Sequence, residues 1–308
     1  MNNKFSIPIM LISLIVFISV GYPLQTAGEE KKDNNLRDSI LAGSWYPGNK
    51  ETLSKMVEGF LSGVKTGSVE GELTALIVPH AGYMYSGQVA AYAYRFLQGM
   101  NFKRVILIGP SHQVRFKGAS INLQSGYKTP LGIVPVDQDL ARKIIDTSDQ
   151  IRWVPQAHAS EHSLEIQLPF LQTVLSDFQI VPILMREWNF KTCSDLADSL
   201  LKVIGTVGNT LFLASSDLSH FHGSKRARVL DMRFIKHVRE FDPSGLASAL
   251  SSGSCEACGG GPAITIMLAA QRLGANRALI LKYANSGDVT GDHSRVVGYL
   301  SAALIRGN

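Results

Sequence analysis

Short apolar runs that alternate with helix-like segments constrain the fold of this chain more than any other feature of its sequence. Four such runs, rich in Val, Ile, Leu and Phe, occupy residues 73–78, 105–108, 178–185 and 210–214. They are continuous rather than alternately polar, as expected for strands buried on both faces. Strands that alternate with helices favour an α/β fold with helices on both sides of a central sheet. The sequence therefore predicts a mostly parallel or mixed sheet flanked by helices.

The composition is that of a folded protein with a large core. Of the 308 residues, 45% are hydrophobic and 18% are charged, so the chain can bury a sizeable core without disulfides. The net charge of +5 is spread along the chain, and its densest basic stretch, residues 225–228, fits an exposed helix face as well as a binding patch. No run interleaves aromatic with basic residues, which argues against a nucleic-acid partner.

The first 28 residues differ from the rest of the chain. Lys4 precedes an almost wholly apolar stretch, residues 5–20, which is followed by Pro23 and by small residues up to Gly28. This order is typical of a secretory signal, and the apolar core is short for a transmembrane helix. We therefore predict a signal peptide at residues 1–28 and export to the periplasm or the outside, with an uncleaved membrane anchor as the alternative. We predict a polar linker at residues 29–35 and a single domain at residues 36–308.

Capping residues and apolar spacing predict the helices. Ser86 is expected to cap a helix that runs to about Leu97, and Asp137 a helix that runs to about Asp146. Residues 161–175 are expected to form a helix that Pro169 kinks or interrupts, because proline lacks a backbone donor. Another helix is expected to have Pro262 in its first turn.

Three of the four apolar runs end in side chains that bind metals or move protons. His80 follows the first run, His112 the second, and Asp217 the fourth, with His220 three residues further on. Sites in open α/β sheets form beyond the carboxyl ends of the strands, so these side chains are expected at one edge of the sheet. Neutral imidazole is the commonest metal-binding side chain, and the pattern indicates a metal site.

Cys258 is the remaining candidate ligand. It stands before Gly259, Gly260 and Gly261 at the expected start of a helix, whose positive end should favour thiolate, the form that binds metals and attacks electrophiles. The glycines allow close approach of the backbone, and a glycine hinge beside a buried thiol is the alternative. Cys255 completes a Cys-x-x-Cys pair, whose disulfide would exclude metal binding, although short spacing alone does not fix disulfide geometry.

Glu161 and Glu165 flank a further polar cluster. Four residues apart, they are expected to face the same side of a helix. They could orient a metal-binding histidine through hydrogen bonds. The alternative is that they interact with the positive end of that helix.

Six short segments occur in a characteristic order. They are residues 42–47 (AGSWYP), 79–83 (PHAGY), 109–112 (GPSH), 161–165 (EHSLE), 215–220 (SSDLSH) and 258–259 (CG). Each is weak alone, but together they make the chain resemble the Memo family, relatives of the class III extradiol dioxygenases, over nearly all of residues 37–305. The chain departs from the family pattern at Gly260 and Gly261, where polar and basic residues are expected, at Cys255, and in its export signal.

The resemblance implies a central sheet flanked by helices and a metal pocket formed by His80, His112 and Cys258, with Asp217 and His220 beside it. The related dioxygenases hold non-haem iron with two histidines and a carboxylate, so Cys258 would replace the carboxylate. Because thiolate is a softer ligand, iron and copper are the expected metals, with zinc as an alternative. Family members have been linked to metal binding, redox roles and scaffolding. Bacterial members are often grouped with a radical SAM protein, which is therefore an expected partner.

Three functions remain open. In the first, a metal-dependent redox protein acts on a small molecule or peptide, with His220 as a general acid or base that Asp217 orients by a hydrogen bond. In the second, Cys258 is a nucleophile activated by a histidine without metal. In the third, the pocket holds a peptide or small anion without catalysis. A serine hydrolase is disfavoured because no Gly-x-Ser-x-Gly segment occurs.

Overall fold

The alternating strands and helices form a mixed sheet with helices on both faces. The computed structural model describes residues 1, 35–65, 71–205 and 209–307. The strands are β1 (Leu36–Arg37), β2 (Glu72–Val78), β3 (Arg104–Pro110), β4 (Ala119–Ile121), β5 (Gly126–Thr129), β6 (Gly132–Pro135), β7 (Ile151–Arg152), β8 (Gln179–Met185), β9 (Thr210–Ser215), β10 (Asp217–His222), β11 (Arg277–Asn285) and β12 (Val296–Arg306).

The helices are α1 (Lys50–Ser62), α2 (Tyr83–Tyr94), α3 (Gln138–Ile145), α4 (Pro155–Ala159), α5 (Leu168–Val174), α6 (Phe190–Ile204), α7 (Ser224–Arg239), α8 (Pro243–Ser251), α9 (Gly260–Arg272) and α10 (Gly287–Thr290). Two short 3-10 turns, Arg95–Leu97 and Glu165–Gln167, precede or follow helices.

The large sheet has a parallel centre and antiparallel additions. Its order is β10-β12-β2-β9-β3-β8-β4-β7, and β11 pairs with β12. The neighbours β2, β9, β3 and β8 are parallel, whereas β12 and β4 join this centre antiparallel. A separate three-stranded sheet has the order β1-β5-β6. The predicted α/β class, with a mixed sheet between helices, is therefore confirmed.

The central strands are buried on both faces because their side chains alternate between two cores. Ile77, Ile106 and Phe212 pack in one core with α3, α6, α7, α8 and α9. Leu76 and Leu107 pack in the other core with α1, α2 and α5. This arrangement explains why the strands are continuous apolar runs in the sequence.

Most of the predicted helices form, but one predicted cap is wrong. Asp137 caps α3, accepting a hydrogen bond from the backbone of Leu140, and Pro262 lies in the first turn of α9. Helix α2 begins at Tyr83, three residues before the predicted cap. Ser86 therefore lies inside the helix, where its hydroxyl donates to the carbonyl of Ala81.

The helix predicted over residues 161–175 is wrong in its first half. Residues 161–164 are irregular, Glu165–Gln167 form a 3-10 turn, and α5 begins only at Leu168. Pro169 lies in the first turn of α5, where its missing N–H removes no hydrogen bond. Glu161 is thus released from helical geometry, and it does not share a helix face with Glu165.

The predicted signal peptide and linker lie outside the described residues, apart from Met1 and Asn35. Among the residues that the structure describes, no helix is both long enough and apolar enough to cross a membrane. Contacts group Asn35–Asn308 as one compact unit. The boundaries proposed for the leader and the linker stay a prediction.

Candidate metal centre

His80, His112 and Asp217 meet at the carboxyl edge of the sheet. They follow β2, β3 and β9, which are adjacent parallel strands. Cys258 reaches the same place from the loop before α9. One ligand atom each from His80, His112 and Cys258 lies within 4.8 Å of the other two. The structure thus brings together the three residues named as metal ligands.

His80 is held on three sides. Its backbone N–H donates to Oδ1 of Asp217 over 2.7 Å, and its Nδ1 lies 3.0 Å from Oγ of Ser215. Its Nε2 lies 3.0 Å from Sγ of Cys258. Burial lowers the pKa of the His80 imidazole well below its usual value, and the neighbouring histidines lower it further. The ring is therefore neutral, the form that a metal ligand requires.

His112 is oriented by Glu161. The Glu161 carboxylate accepts from the backbone N–H of His112 over 2.5 Å and lies 2.8 Å from its Nδ1. Burial would raise the pKa of Glu161, but these bonds and the charge of His112 hold it at about 2. An ionised carboxylate only accepts, so Nδ1 of His112 carries a proton and donates, and the opposite nitrogen, Nε2, is left available as a ligand. Of the two roles left open for Glu161, these hydrogen bonds support the one in which it orients a candidate ligand.

His162 was not singled out in the sequence, although it follows Glu161 directly. Its ring stacks on His112 with centroids 4.3 Å apart and lies 4.6 Å from the ring of Trp45. Burial lowers the pKa of His162 to about 4, against the opposing charge of Glu161. His112, Glu161 and His162 also offer donor atoms within 4.8 Å. However, the Glu161 carboxylate already accepts bonds from His112 and from the Ser163 backbone, so it serves to orient rather than to bind metal.

Glu165 has a structural partner instead of a ligand histidine. Its carboxylate pairs with Arg37 at 2.6 Å in the buried interior. It also accepts hydrogen bonds from the side chains of Ser39 and Tyr46 and from the backbone of Ile40 and Leu41. Burial would raise the pKa of Glu165, but Arg37 and these donors keep it below its usual value. The predicted role of Glu165 in orienting a ligand is therefore replaced by anchoring of the segment before α1.

Asp217 and His220 lie beside the cluster but are not joined as predicted. The Asp217 carboxylate accepts from the backbone N–H of His80, not from the His220 ring. No hydrogen bond between Asp217 and His220 occurs among the residues that the structure describes. Burial raises the pKa of Asp217 to about 7, while the N–H groups of His80 and Ala81 oppose the shift. Asp217 therefore positions His80, and the catalytic roles proposed for Asp217 and His220 stay a prediction.

The backbone around His220 is distorted. The register of β10 against β12 shifts on both sides of His220. The next residue, Phe221, has a φ of +61°, which is unusual for a side chain of its size. Bulges near sites re-aim side chains, and His220, which lies in this one, lines the clefts beside the cluster.

Cys258 does not behave as the helix start suggested. Burial raises the pKa of its thiol well above the usual value, and the charge of Asp217 adds to the shift. Hydrogen bonding from Gly259 opposes these effects but is weaker. Without a cation beside it, the thiol therefore stays protonated. Cys193 and Cys255 are buried free thiols, and burial raises the pKa of Cys255 to about 11.

The glycines after Cys258 allow close packing, as predicted. A Cβ atom on Gly259 would lie 2.3 Å from the carbonyl oxygen of Ser215. A Cβ atom on Gly261 would lie 2.8 Å from the indole of Trp188. Only glycine lets the loop approach the end of β9 this closely, and that approach places the sulfur against His80.

Two clefts meet at the cluster. The histidine cleft, of about 750 Å³, is lined by His80, His112, His162, Asp217 and His220 and by the aromatic residues Trp45, Tyr85, Phe221 and Tyr299. The thiol cleft, of about 960 Å³, is lined by His220, Cys255 and Cys258 and by Trp188 and Leu250. His220 lines both clefts, so ligands can approach it from two sides.

The donor set fits a transition metal. Hydrogen bonds at Nδ1 leave Nε2 of both His80 and His112 available as ligands, and Cys258 adds a sulfur 3.0 Å from Nε2 of His80. Two imidazoles with a thiolate suit copper, zinc or iron better than magnesium or calcium, which prefer oxygen. The metal would supply Lewis-acid or redox chemistry that these side chains lack.

Comparisons with known proteins agree with the resemblance to the Memo family. The profile of the family described as Memo-like protein matches residues 37–303. A MEMO1 family protein from Methanosarcina mazei is 37% identical over 276 residues, covering 88% of this chain and 98% of its own. Another from Nitrosopumilus maritimus is 35% identical over 270 residues, covering 86% and 98%. With a match of this extent, the chain belongs to the Memo-like protein family.

Proposed function

We propose that this protein binds one transition metal ion through His80, His112 and Cys258 and uses it in a redox reaction on a small molecule or peptide. The observation that carries the proposal is the convergence of one ring nitrogen each of His80 and His112 and the sulfur of Cys258 within 4.8 Å of one another. The cluster opens into the histidine cleft, whose aromatic walls suit an organic ligand. Copper and iron are the proposed metals, with zinc as the alternative.

The side chains around the cluster have two proposed roles, positioning of the ligands and proton transfer. Glu161 and Asp217 hold His112 and His80 in place. His220 lines both clefts and is the proposed general acid or base. Burial lowers the pKa of His220, so its neutral ring is ready to accept a proton.

Elemental analysis of the purified protein tests metal binding. We expect about one transition metal ion per chain, and we expect His80→Ala to lose most of it because one of three ligands is gone. His237→Ala is the matched control, since His237 pairs with Asp242 beyond the end of α7. Equal metal content in the wild type and in His80→Ala, with both folded, would refute the site.

His220→Ala tests the division between binding and chemistry. We expect the variant to retain its metal, because His220 is outside the three-residue group of candidate ligands. Any turnover found should fall by roughly 10²–10⁴-fold, the usual contribution of a general acid or base. If the variant loses as much metal as His80→Ala does, His220 is itself a ligand.

A metal-free cysteine nucleophile is the second candidate. It is favoured by the 3.0 Å contact between Sγ of Cys258 and Nε2 of His80, which is the spacing of a nucleophile and its base. The raised pKa of the thiol argues against it. Activity that survives metal removal but is lost on alkylation of Cys258 would support this candidate instead.

A further inference from the structure

We propose that Ser215 and Gln167 are positioning residues that fix the tautomer of His80. They hold the proton of the imidazole on Nδ1, so that the lone pair on Nε2 faces the cluster. The inference deepens the proposed metal site and depends on it for its functional meaning. The tautomer itself can be measured whether or not a metal binds.

The donors and acceptors around the Ser215 hydroxyl determine the direction of its hydrogen bond with His80. A serine hydroxyl has one proton to donate and two lone pairs that accept. Oγ of Ser215 lies 2.6 Å from the carbonyl oxygen of Ser163, which can only accept, so the proton points there. The contact of 3.0 Å to Nδ1 of His80 must then run from the ring to the serine. His80 is therefore protonated at Nδ1.

Gln167 supports this arrangement because its amide can face only one way. Its Nε2 lies 2.7 Å from Oγ of Ser215 and 3.0 Å from the carbonyl oxygen of Pro79. Its Oε1 lies 2.7 Å from the hydroxyl of Tyr94, which donates to it. A rotated amide would place an oxygen against the Pro79 carbonyl. Gln167 therefore donates to Ser215 and fills the second lone pair of its hydroxyl.

Burial makes the alternative unfavourable. Ser215, Gln167 and Tyr94 are at most 1% exposed, so water cannot replace a lost partner. If Ser215 turned its proton toward His80, the carbonyl of Ser163 would lose this donor. Nε2 would then carry the imidazole proton and could not bind a metal. The buried network thus selects the tautomer that a ligand requires.

The two candidate ligands are fixed by different chemistry. Nδ1 of His112 faces an ionised carboxylate, whereas Nδ1 of His80 faces a neutral hydroxyl. A change at Ser215 should therefore affect His80 and leave the tautomer of His112 unaltered. His112 provides an internal control within the same molecule.

The experiment measures the tautomers of ¹⁵N-histidine-labelled, metal-free protein by NMR and the zinc affinity of the same preparations. The wild type should show His80 protonated at Nδ1. In Ser215→Ala, His80 should no longer be protonated only at Nδ1. Zinc affinity should fall roughly tenfold, as it does when the hydrogen-bond partner of a metal ligand is removed. Gln167→Met should change the His80 tautomer and the zinc affinity in the same direction, but by less than Ser215→Ala does. Ser301→Ala is the control, because it removes another buried hydroxyl that donates to a carbonyl.

The outcomes separate this inference from the proposed function. A wild-type His80 protonated at Nε2 would overturn it. So would a Ser215→Ala variant with an unchanged tautomer, or a Ser301→Ala variant that loses as much zinc affinity as Ser215→Ala. If no variant binds zinc but the His80 tautomer depends on Ser215, the positioning role stands and the proposed metal site fails.

Discussion

Replacing Cys258 by alanine is expected to remove most of the bound metal and to leave the fold intact. Cys258 contributes the sulfur of the cluster, and its loss leaves two imidazoles. The metal affinity should fall by more than the roughly 10–100-fold that follows loss of a group hydrogen-bonded to a metal ligand. Metal titration of the variant and the wild type measures the difference, and circular dichroism monitors the fold.

The Cys258→Asp variant is expected to keep a metal but to change which one it prefers. A carboxylate is a harder ligand than a thiolate, so the affinity for iron(II) and manganese should rise relative to the affinity for copper and zinc. Competition between Zn²⁺ and Fe²⁺ under anaerobic conditions measures the shift. This test also shows how much of the difference in metal preference from a two-histidine, one-carboxylate iron centre is due to the thiol.

Cys193→Ala is the control for both variants. Cys193 is a buried thiol in α6 that is not part of the candidate ligand group, so its removal should leave metal affinity unchanged. Wild-type affinity in Cys258→Ala would show that the sulfur is not a ligand. The centre of the proposed site would then be wrong.

The Arg37→Met variant is expected to lose about 3–5 kcal/mol of stability, the usual effect of leaving one buried charge without its partner. Arg37 is 3% exposed and Glu165 is fully buried, so neither charge is screened by water. The guanidinium also donates to the carbonyl oxygens of His158 and Glu161, each over 2.7 Å. Denaturant unfolding of both proteins at neutral pH measures the loss.

The loss of stability in Arg37→Met should become smaller as the pH falls. The pKa of Glu165 is lowered in the folded state, so its ion pair contributes fully above the unfolded carboxyl pKa of about 4.3. The contribution is lost as the pH falls through the lower, folded value. The stability difference between wild type and Arg37→Met should thus be constant near neutral pH and shrink in acid.

Two variants check the origin of this loss. Lys128→Met breaks an exposed pair with Asp38 and should change stability far less, because water screens both charges. Arg37→Met combined with Glu165→Gln removes the stranded charge and should recover part of the loss. If Arg37→Met is no more destabilising than Lys128→Met, the buried pair does not anchor the segment before α1.

The sequence predicted the location of the site well because that location depends on local rules. Apolar runs mark the strands, and parallel strands that end at one edge deliver the next side chains there. His80, His112 and Asp217 could therefore be placed together without a structure. The glycines after Cys258 likewise indicated a close approach before Trp188 and Ser215 were known to be the neighbours.

The orientation of each group depended on tertiary structure. Pro169 delays α5, which frees Glu161 to meet His112, whereas helical spacing placed it beside Glu165. Asp217 was expected to orient His220 by a hydrogen bond, but it accepts a hydrogen bond from the backbone of His80, 137 positions away.

What the sequence alone determined is which residue types reach the sheet edge, because strand direction and chain order fix that arrangement. What only the tertiary structure decided is their protonation. Burial of Cys258 outweighs the helix start and raises the pKa of its thiol. Hydrogen bonds from distant segments fix the proton of His80 on Nδ1. Desolvation and hydrogen-bond direction depend on which segments pack around a group, and strand and helix patterns do not encode that packing.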